Sequence, residues 1–255
     1  LAEASLWISC AAAASSIFNQ LLERDTDARM LRTAARPLVT GRVRARDAIF
    51  VGAGLALVAT AGLAMRFNTL SALLALATLA AYVLVYTPLK RVSSLNTTVG
   101  AIPGAMPPLL GFVAAAGSVQ GWGWYLFAVV FAWQFPHFLA IAWIYREDYA
   151  RAGLKMLPAL PGTAGMAGRQ ALLYSLALLP VSLLPVLRGD AGWVYAVTAL
   201  LCGVAYCVSA ALFAWRESRA TARALVVVSL VYLPALLSLT LMDPLVRALA
   251  ARGAL

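Results

Sequence analysis

The sequence contains few acidic residues, little histidine and little cysteine. Of the 255 residues, 10 are Asp or Glu, one is His and three are Cys. The cysteines lie in apolar stretches without metal-ligand spacing, so neither a disulfide framework nor a cysteine zinc site is predicted. We recognise no Ser/His or Cys/His arrangement for nucleophilic catalysis in the sequence.

Apolar residues dominate the chain instead. They make up 63% of it, and the mean hydropathy of +0.85 excludes an ordinary soluble domain. Most apolar stretches reach the roughly 17–25 residues that cross a bilayer, and the absence of strand-like alternation indicates helices. We therefore predict an all-α polytopic membrane bundle, a single integral-membrane domain over residues 1–255. Its eight transmembrane helices are expected at residues 2–18, 48–65, 69–86, 99–118, 122–144, 171–187, 192–214 and 224–242.

The basic residues are distributed unevenly. Of the 20 Lys and Arg, 16 fall in alternate connections between the apolar stretches. By the positive-inside rule these connections face the cytoplasm. We expect the bacterial cytoplasmic (inner) membrane rather than the mitochondrial inner membrane. The net charge of +10 is attributed to orientation, anionic lipid and an anionic substrate, not to nucleic acid. The basic connections are 19–47, 87–98, 145–170 and 215–223.

The first apolar stretch ends in an unusually acidic segment. Asn19, Glu23 and Asp27 are spaced by four residues, so on a helix they share one face that drifts by only about 80°. Asp25 lies about 160° from Asp27 and is expected to face elsewhere. Oxygen ligands on one face at a membrane surface indicate Mg²⁺, and Mg²⁺ indicates a phosphate-bearing substrate.

A second acidic segment, Tyr145–Tyr149, follows a later apolar stretch. Its Glu147 and Asp148 point about 100° apart on a continuous helix, so both are candidate metal ligands and Asp148 is favoured. If the two segments face one cavity, they hold Mg²⁺ against the same diphosphate. Basic residues are the candidates to neutralise its oxygens, although roughly half are expected to be plain positive-inside residues. They are Arg32, Arg36, Lys90, Arg91, Arg146 and Lys155.

Two further features have alternative interpretations. His137 lies in an apolar helix and is either a satisfied core residue or a contact to a deeper substrate, as an axial iron ligand. Gly100–Gly111 contains three prolines and three glycines, which would break or kink a spanning helix. It forms either a packing kink or a cavity wall where a large substrate approaches the backbone.

Several motifs together resemble one family. The chain resembles the protohaem IX farnesyltransferases (haem O synthases), a branch of the UbiA-type intramembrane prenyltransferases, over most of residues 15–160. In the acidic motif, NDxxDxxxD in the superfamily, Gln20 replaces the first Asp, as in the haem branch. The motifs are NQLLERDTDARM from Asn19, YTPLKR from Tyr86, NTTVG from Asn96, WQFPHF from Trp133 and YREDY from Tyr145.

The resemblance implies a reaction. Farnesyl diphosphate and haem B are the implied substrates, and Mg²⁺-assisted ionisation, vinyl attack and water addition give haem O. It implies catalytic roles for Asn19, Glu23, Asp27 and Asp148, and the lipid bilayer and other haem A or cytochrome oxidase assembly proteins as partners. The family normally has nine helices, so the first is expected to be missing here.

Two alternatives remain open at this stage. A related UbiA-type prenyltransferase acting on an aromatic or quinone precursor would use the same acidic motif. A membrane transporter would account for a broken helix at Gly100–Gly111, although transporter sites lie near the bilayer midplane and not at one membrane face.

Overall fold

The structure, a computed structural model, describes the backbone of residues 2–251 and the side chains of residues 2–243. This part of the chain forms helices and no strands, and eight helical segments are long and apolar enough to cross a membrane. The predicted all-α bundle with eight spans is therefore confirmed. The α-helices are α1 Ala2–Leu22, α2 Arg24–Asp27, α3 Ala45–Arg66, α4 Thr69–Ala80, α5 Thr87–Leu89, α6 Asn96–Ala116, α7 Trp122–Ile144, α8 Arg146–Ala152, α9 Met166–Leu187, α10 Trp193–Trp215 and α11 Arg219–Ala251.

The helices fall into two compact units. The first contains the chain up to Phe127 together with Tyr145–Leu160, and the second contains Ala128–Ile144 and the chain from Pro161 onward. Within the first unit α1 packs on α3 and α4, and α4 packs on α6. Within the second, α10 packs on α9 and α11. That all of it forms a single domain stays a prediction.

Small residues allow the helices of the first unit to approach. On α1, Ala4, Ala11 and Ala14 are buried, whereas Leu6 is exposed on the opposite side. Membrane helices gain little from burying large apolar side chains, which lipid solvates equally well, so close packing relies on small residues. The exposed leucine is what a lipid-facing surface requires.

Two remote carboxylates fix helix starts in the second unit. Glu217 accepts hydrogen bonds from the backbone N–H groups of Gly165 (3.1 Å) and Gly168 (2.8 Å), at the first turn of α9. Asp243 accepts one from the N–H of Gly192, which precedes α10. Helix N-termini carry unpaired N–H groups and a positive dipole end, so a carboxylate satisfies both.

The third span is not a uniform α-helix. Between α4 and α5, residues Ala81–Tyr86 form a π-helix, and Thr87 follows it directly. One extra residue in a turn rotates everything that follows by about 100° around the helix axis. The π-helix therefore decides which side of this span its last residues, Thr87 and Lys90, present to α1.

The Gly/Pro-rich stretch forms a continuous helix. Pro103, Pro107 and Pro108 all lie inside α6, so the expected break does not occur. Neighbouring helices in a membrane protein can compensate for hydrogen bonds that proline removes. Pro103, Gly104 and Pro107 line a cavity of about 240 Å³ between α1, the third span and α6, which agrees with the cavity-wall interpretation.

Candidate functional site

The predicted acidic face is present at the end of α1. Backbone hydrogen bonds from Glu23 N to Asn19 O (2.9 Å) and from Asp27 N to Glu23 O (2.7 Å) carry the four-residue spacing across the short break at Glu23. Asn19, Glu23 and Asp27 are buried, whereas Asp25 is exposed. The spacing thus separates three inward side chains from one that faces outward.

Glu23 is paired with Lys90. The Lys90 ammonium lies 3.0 Å from Glu23 Oε1 and donates to Oε2 at 3.1 Å, and the two side chains are 12% and 6% exposed. The same ammonium lies 4.5 Å from the centre of the Tyr86 ring, a cation–π distance. Lys90 is therefore held by two carboxylate oxygens and one aromatic face.

Asp27 is paired with Arg36. The guanidinium donates to Asp27 Oδ2 at 2.6 Å, and the Asp27 side chain is almost fully buried. Thr33 Oγ1 donates to the Asp27 carbonyl oxygen at 2.9 Å and holds the loop against the end of α2. Two acids and two cations give this cluster no net charge, as buried charges require.

Asn19 is bonded to a residue that we did not single out from the sequence. Its Nδ2 donates to Thr87 Oγ1 at 3.1 Å, and both residues are buried. Thr87 lies in the Tyr86–Arg91 motif, but nothing in that motif alone indicates that its hydroxyl meets a side chain 68 positions away.

The donor set fits a magnesium ion delivered with a diphosphate. Glu23 Oε1, which is close to Lys90 but not aligned for a hydrogen bond, and Asp27 Oδ1 are buried without a hydrogen-bond partner among the described residues. Within that part of the chain, no three His, Cys, Asp or Glu form a ready metal site. Mg²⁺ is usually held by one or two carboxylates together with substrate phosphates, not by an all-protein cage.

The second acidic segment presents its two acids differently. Asp148 is buried and accepts a hydrogen bond from Arg151 at 2.9 Å, with its side chain 11% exposed. Glu147 is 81% exposed and lies 3.4 Å from Arg146. The burial favours Asp148, as predicted, while metal-ligand roles for either residue stay predictions.

The second acidic segment and the loop after it contact other residues of the first unit. Arg32 lies over the rings of Tyr145 (5.2 Å) and Tyr149 (6.0 Å), the residue after Asp148. The backbone N–H of Lys155 donates to the Lys90 carbonyl oxygen at 2.7 Å. Arg32 therefore contacts the second segment itself, and the loop that follows this segment is hydrogen-bonded to Lys90.

Asn96 reinforces this attachment. Its fully buried side chain donates to the carbonyl oxygens of Ser93 (2.6 Å) and Lys155 (2.9 Å). Its place in the NTTVG motif was visible in the sequence, but its partner, 59 positions away, was not.

Two of the predicted phosphate-binding residues, Arg91 and Lys155, are exposed and do not pair with Glu23 or Asp27. Arg91 is exposed and donates to the carbonyl oxygen of Leu22, the last residue of α1, at 2.8 Å. Lys155 has an exposed side chain, and its backbone makes the contact to Lys90. Their substrate roles stay predictions.

His137 belongs to the second unit and has a defined partner there. Its Nδ1 lies 2.7 Å from Ser229 Oγ, and its ring stacks on Trp133 at 4.9 Å. The single Ser229 hydroxyl proton is directed at the Val226 carbonyl oxygen (2.6 Å), so Ser229 accepts and His137 Nδ1 donates. In the neutral ring this leaves Nε2 as a free lone pair.

Comparison with known proteins identifies the family of this chain. The UbiA prenyltransferase family matches residues 1–241. The chain belongs to the UbiA prenyltransferase family. This membership confirms the predicted resemblance and favours a prenyltransferase over the transporter alternative. Apolar helices together with membership of the UbiA family indicate an integral membrane protein.

Two similar relatives are named protoheme IX farnesyltransferase. The chain is 46% identical to a protoheme IX farnesyltransferase of Solibacter usitatus, over 91% of this chain and 80% of the relative. It is 40% identical to a protein of that name from Koribacter versatilis, over 95% of this chain and 81% of the relative.

Solved structures share the UbiA fold. An apo structure of a UbiA homolog from Aeropyrum pernix K1 matches with a TM-score of 0.75 and 22% identity, over 92% of this chain and 88% of the other. A digeranylgeranylglyceryl phosphate synthase matches with a TM-score of 0.77 and 16% identity, over 94% and 84%. At these identities the likeness concerns the fold alone.

Proposed function

We propose that this protein transfers the farnesyl group of farnesyl diphosphate to a vinyl group of haem B, with water addition, to give haem O. One observation carries the proposal: at a membrane-helix end the buried carboxylates of Glu23 and Asp27 pair with Lys90 and Arg36, in a chain 46% identical to a protoheme IX farnesyltransferase. Paired acids and cations of this kind suit a metal–diphosphate group, which needs both oxygen ligands and positive charge.

The first task of the site is to bind the diphosphate. Asn19, Glu23 and Asp27, with Asp148, would supply oxygen ligands for Mg²⁺. The N–H groups of Lys90 and Arg36 then donate to phosphate oxygens instead of to the Glu23 and Asp27 carboxylates. Arg36 uses one nitrogen on Asp27, and a guanidinium carries five N–H donors, so others are available for a bidentate contact. Bound Mg²⁺ withdraws charge from the diphosphate and makes it a better leaving group.

The second task is to let the farnesyl C1–O bond break. As pyrophosphate leaves, negative charge grows on it, and the Lys90 and Arg36 cations stabilise that charge. The terminal vinyl carbon of haem B attacks C1 of the allylic cation. Water then adds to the carbocation formed beside the porphyrin and loses one proton, which gives the hydroxyethylfarnesyl group. No protein nucleophile is needed.

The farnesyl tail requires an apolar site beside the acidic face. The 240 Å³ cavity between α1, the third span and α6 is lined mainly by apolar side chains. Ser15 and Ser16, one turn before Asn19, line it, as does Tyr82 of the π-helix. This position supports entry of the tail from the acidic end into the apolar interior, where water is kept from the cation.

On the haem side we propose His137 as the iron ligand. The hydrogen bond to Ser229 supports this role because it leaves Nε2 of the neutral ring unprotonated and fixes the ring plane. Metal-binding histidines ordinarily donate their other ring N–H to a nearby oxygen in this way.

The cellular setting follows from the charge distribution. With 16 of the 20 Lys and Arg in alternate connections, we propose the bacterial cytoplasmic (inner) membrane, with the acidic cluster facing the cytoplasm. Other haem A or cytochrome oxidase assembly proteins are proposed as partners, because the product is consumed in haem maturation.

A competition assay tests the function. Purified protein in lipid nanodiscs receives labelled farnesyl diphosphate and Mg²⁺ with equimolar haem B and a hydroxybenzoate acceptor. We expect label on haem alone. Label on the benzoate alone would support the aromatic prenyltransferase alternative, and label on neither acceptor would contradict the proposal.

A further inference from the structure

We propose that Thr87 is a positioning residue that fixes the amide of Asn19 so that its oxygen faces the metal–diphosphate group. This inference rests on the proposed function only in naming the bound group as a metal–diphosphate. It concerns a hydroxyl that sequence reasoning gave no role and that touches no reacting atom itself.

The direction of the hydrogen bonds carries the argument. Thr87 Oγ1 lies 2.9 Å from the Tyr82 carbonyl oxygen, which can only accept, so the one hydroxyl proton is used there. Toward Asn19, 3.1 Å away, the hydroxyl oxygen must therefore accept. Asn19 has to present its NH₂ group to Thr87, and its Oδ1 is directed away from it.

Without the hydrogen bond to Thr87, the Asn19 amide could turn either its oxygen or its NH₂ group toward the metal. The two ends of an asparagine side chain have nearly the same shape, but only the oxygen can bind a cation. Among the residues that the structure describes, Oδ1 of Asn19 accepts no hydrogen bond. The Thr87 contact is thus what selects the metal-binding orientation before an ion arrives.

The π-helix explains why Thr87 lies there. The backbone N–H of Thr87 bonds to the carbonyl oxygen of Tyr82, five residues earlier, as in a π-turn, and the Thr87 hydroxyl bonds to the same oxygen. One turn further on, Lys90 reaches Glu23. Asn19 with Thr87 and Glu23 with Lys90 therefore form two successive links between the same two chain segments, in one register.

The test measures metal binding apart from catalysis. Mn²⁺ is titrated into nanodisc-embedded protein with inorganic pyrophosphate and followed by electron paramagnetic resonance, for wild type, Thr87→Val and Thr87→Ser. We expect Thr87→Val to weaken Mn²⁺ binding about 10- to 100-fold, as loss of a residue that orients a ligand does. Thr87→Ser keeps the hydroxyl and is expected to bind within about twofold of wild type on the same grounds.

A matched control separates positioning from helix stability. Thr60 makes the same type of back-bond, to the Ala56 carbonyl oxygen at 2.8 Å, but on α3 and without a side-chain partner. Thr60→Val should leave Mn²⁺ binding unchanged while altering the unfolding temperature as Thr87→Val does. Equal Mn²⁺ affinities in Thr60→Val and Thr87→Val would overturn the inference.

A second variant covers the case in which Thr87→Val does not fold. In an Asn19→Asp background both carboxylate oxygens can bind a cation, so Thr87→Ala should cost less Mn²⁺ affinity there than with Asn19 present. Equal losses in the two backgrounds would contradict orientation of the amide. If the protein does not farnesylate haem but Thr87→Val still weakens Mn²⁺ binding, the proposed function is wrong and the role of Thr87 is still supported.

Discussion

The ammonium of Lys90 lies 3.0 Å from Glu23 Oε1, and both side chains are nearly buried. Lys90 thus already has a counter-ion, and it comes from a chain segment 67 residues away. In the proposed mechanism, a diphosphate that binds this lysine would free the Glu23 carboxylate to bind Mg²⁺. The pair keeps the cation and the carboxylate in place before substrate arrives.

Breaking this pair should cost both stability and activity. We expect Lys90→Met to destabilise the protein by on the order of 3 kcal/mol, because it leaves the Glu23 carboxylate buried without a partner. Adding Glu23→Gln should restore most of the unfolding temperature, since the unpaired charge is gone. It should not restore farnesyl transfer. Recovery of transfer in the double variant would show that the pair is structural only.

Asp27 and Asp25 provide a matched comparison two residues apart. Asp27→Asn should lower turnover by about 100-fold or more, because it removes a charged ligand and the partner of Arg36. Asp25→Asn changes an exposed side chain and should leave turnover within about twofold. Initial rates at saturating farnesyl diphosphate measure both. Equal rates for the two variants would refute the assigned role of Asp27.

Gly100 provides room for the Tyr86 ring. A Cβ at position 100 would overlap that ring, and Tyr86 in turn lies against Lys90. We expect Gly100→Ala to displace the ring and to raise KM for farnesyl diphosphate by about 10-fold, a change of about 1.4 kcal/mol.

Gly111 is the control for that substitution on the same helix. An added Cβ there meets nothing within 4 Å. Gly111→Ala should therefore leave KM unchanged and stabilise α6 by about 0.5–1 kcal/mol. If both alanine variants show the same KM, the Tyr86 ring has no part in holding Lys90.

His137 and Ser229 are tested through haem itself. His137→Ala should abolish the Soret shift seen on titrating ferric haem B. Ser229→Ala should weaken haem binding about 10-fold, because the ring loses the acceptor that fixes its tautomer. Ser209→Ala, which removes a hydroxyl bonded only to the Tyr206 carbonyl oxygen of its own helix, serves as control. Identical Soret titrations in wild type and His137→Ala would make His137 a packing residue.

The spans and the acidic face were predictable because they depend on local order. A run of about 20 apolar residues has to form a helix in lipid, and a four-residue spacing puts Asn19, Glu23 and Asp27 on one face. These features need no knowledge of the rest of the chain.

Partners distant in sequence were not predictable from the motifs. Lys90 and Arg36 were assigned to phosphate, and their carboxylate partners emerged only in the structure. The π-helix at Ala81–Tyr86 has no signature in an apolar run, so the positions of Thr87 and Lys90 relative to α1 were hidden. The Gly100–Gly111 stretch, expected to break or kink its span, forms a continuous helix, because neighbouring helices decide whether a proline-containing helix persists.

The most direct measurement is the mass of haem B after incubation with farnesyl diphosphate and the nanodisc-embedded protein, with Mg²⁺ and with a chelator. We predict that with Mg²⁺ haem gains one farnesyl group and one hydroxyl group, and that wild type with chelator and Glu23→Gln with Mg²⁺ both lose nearly all product. Equal product in all three reactions would contradict this prediction.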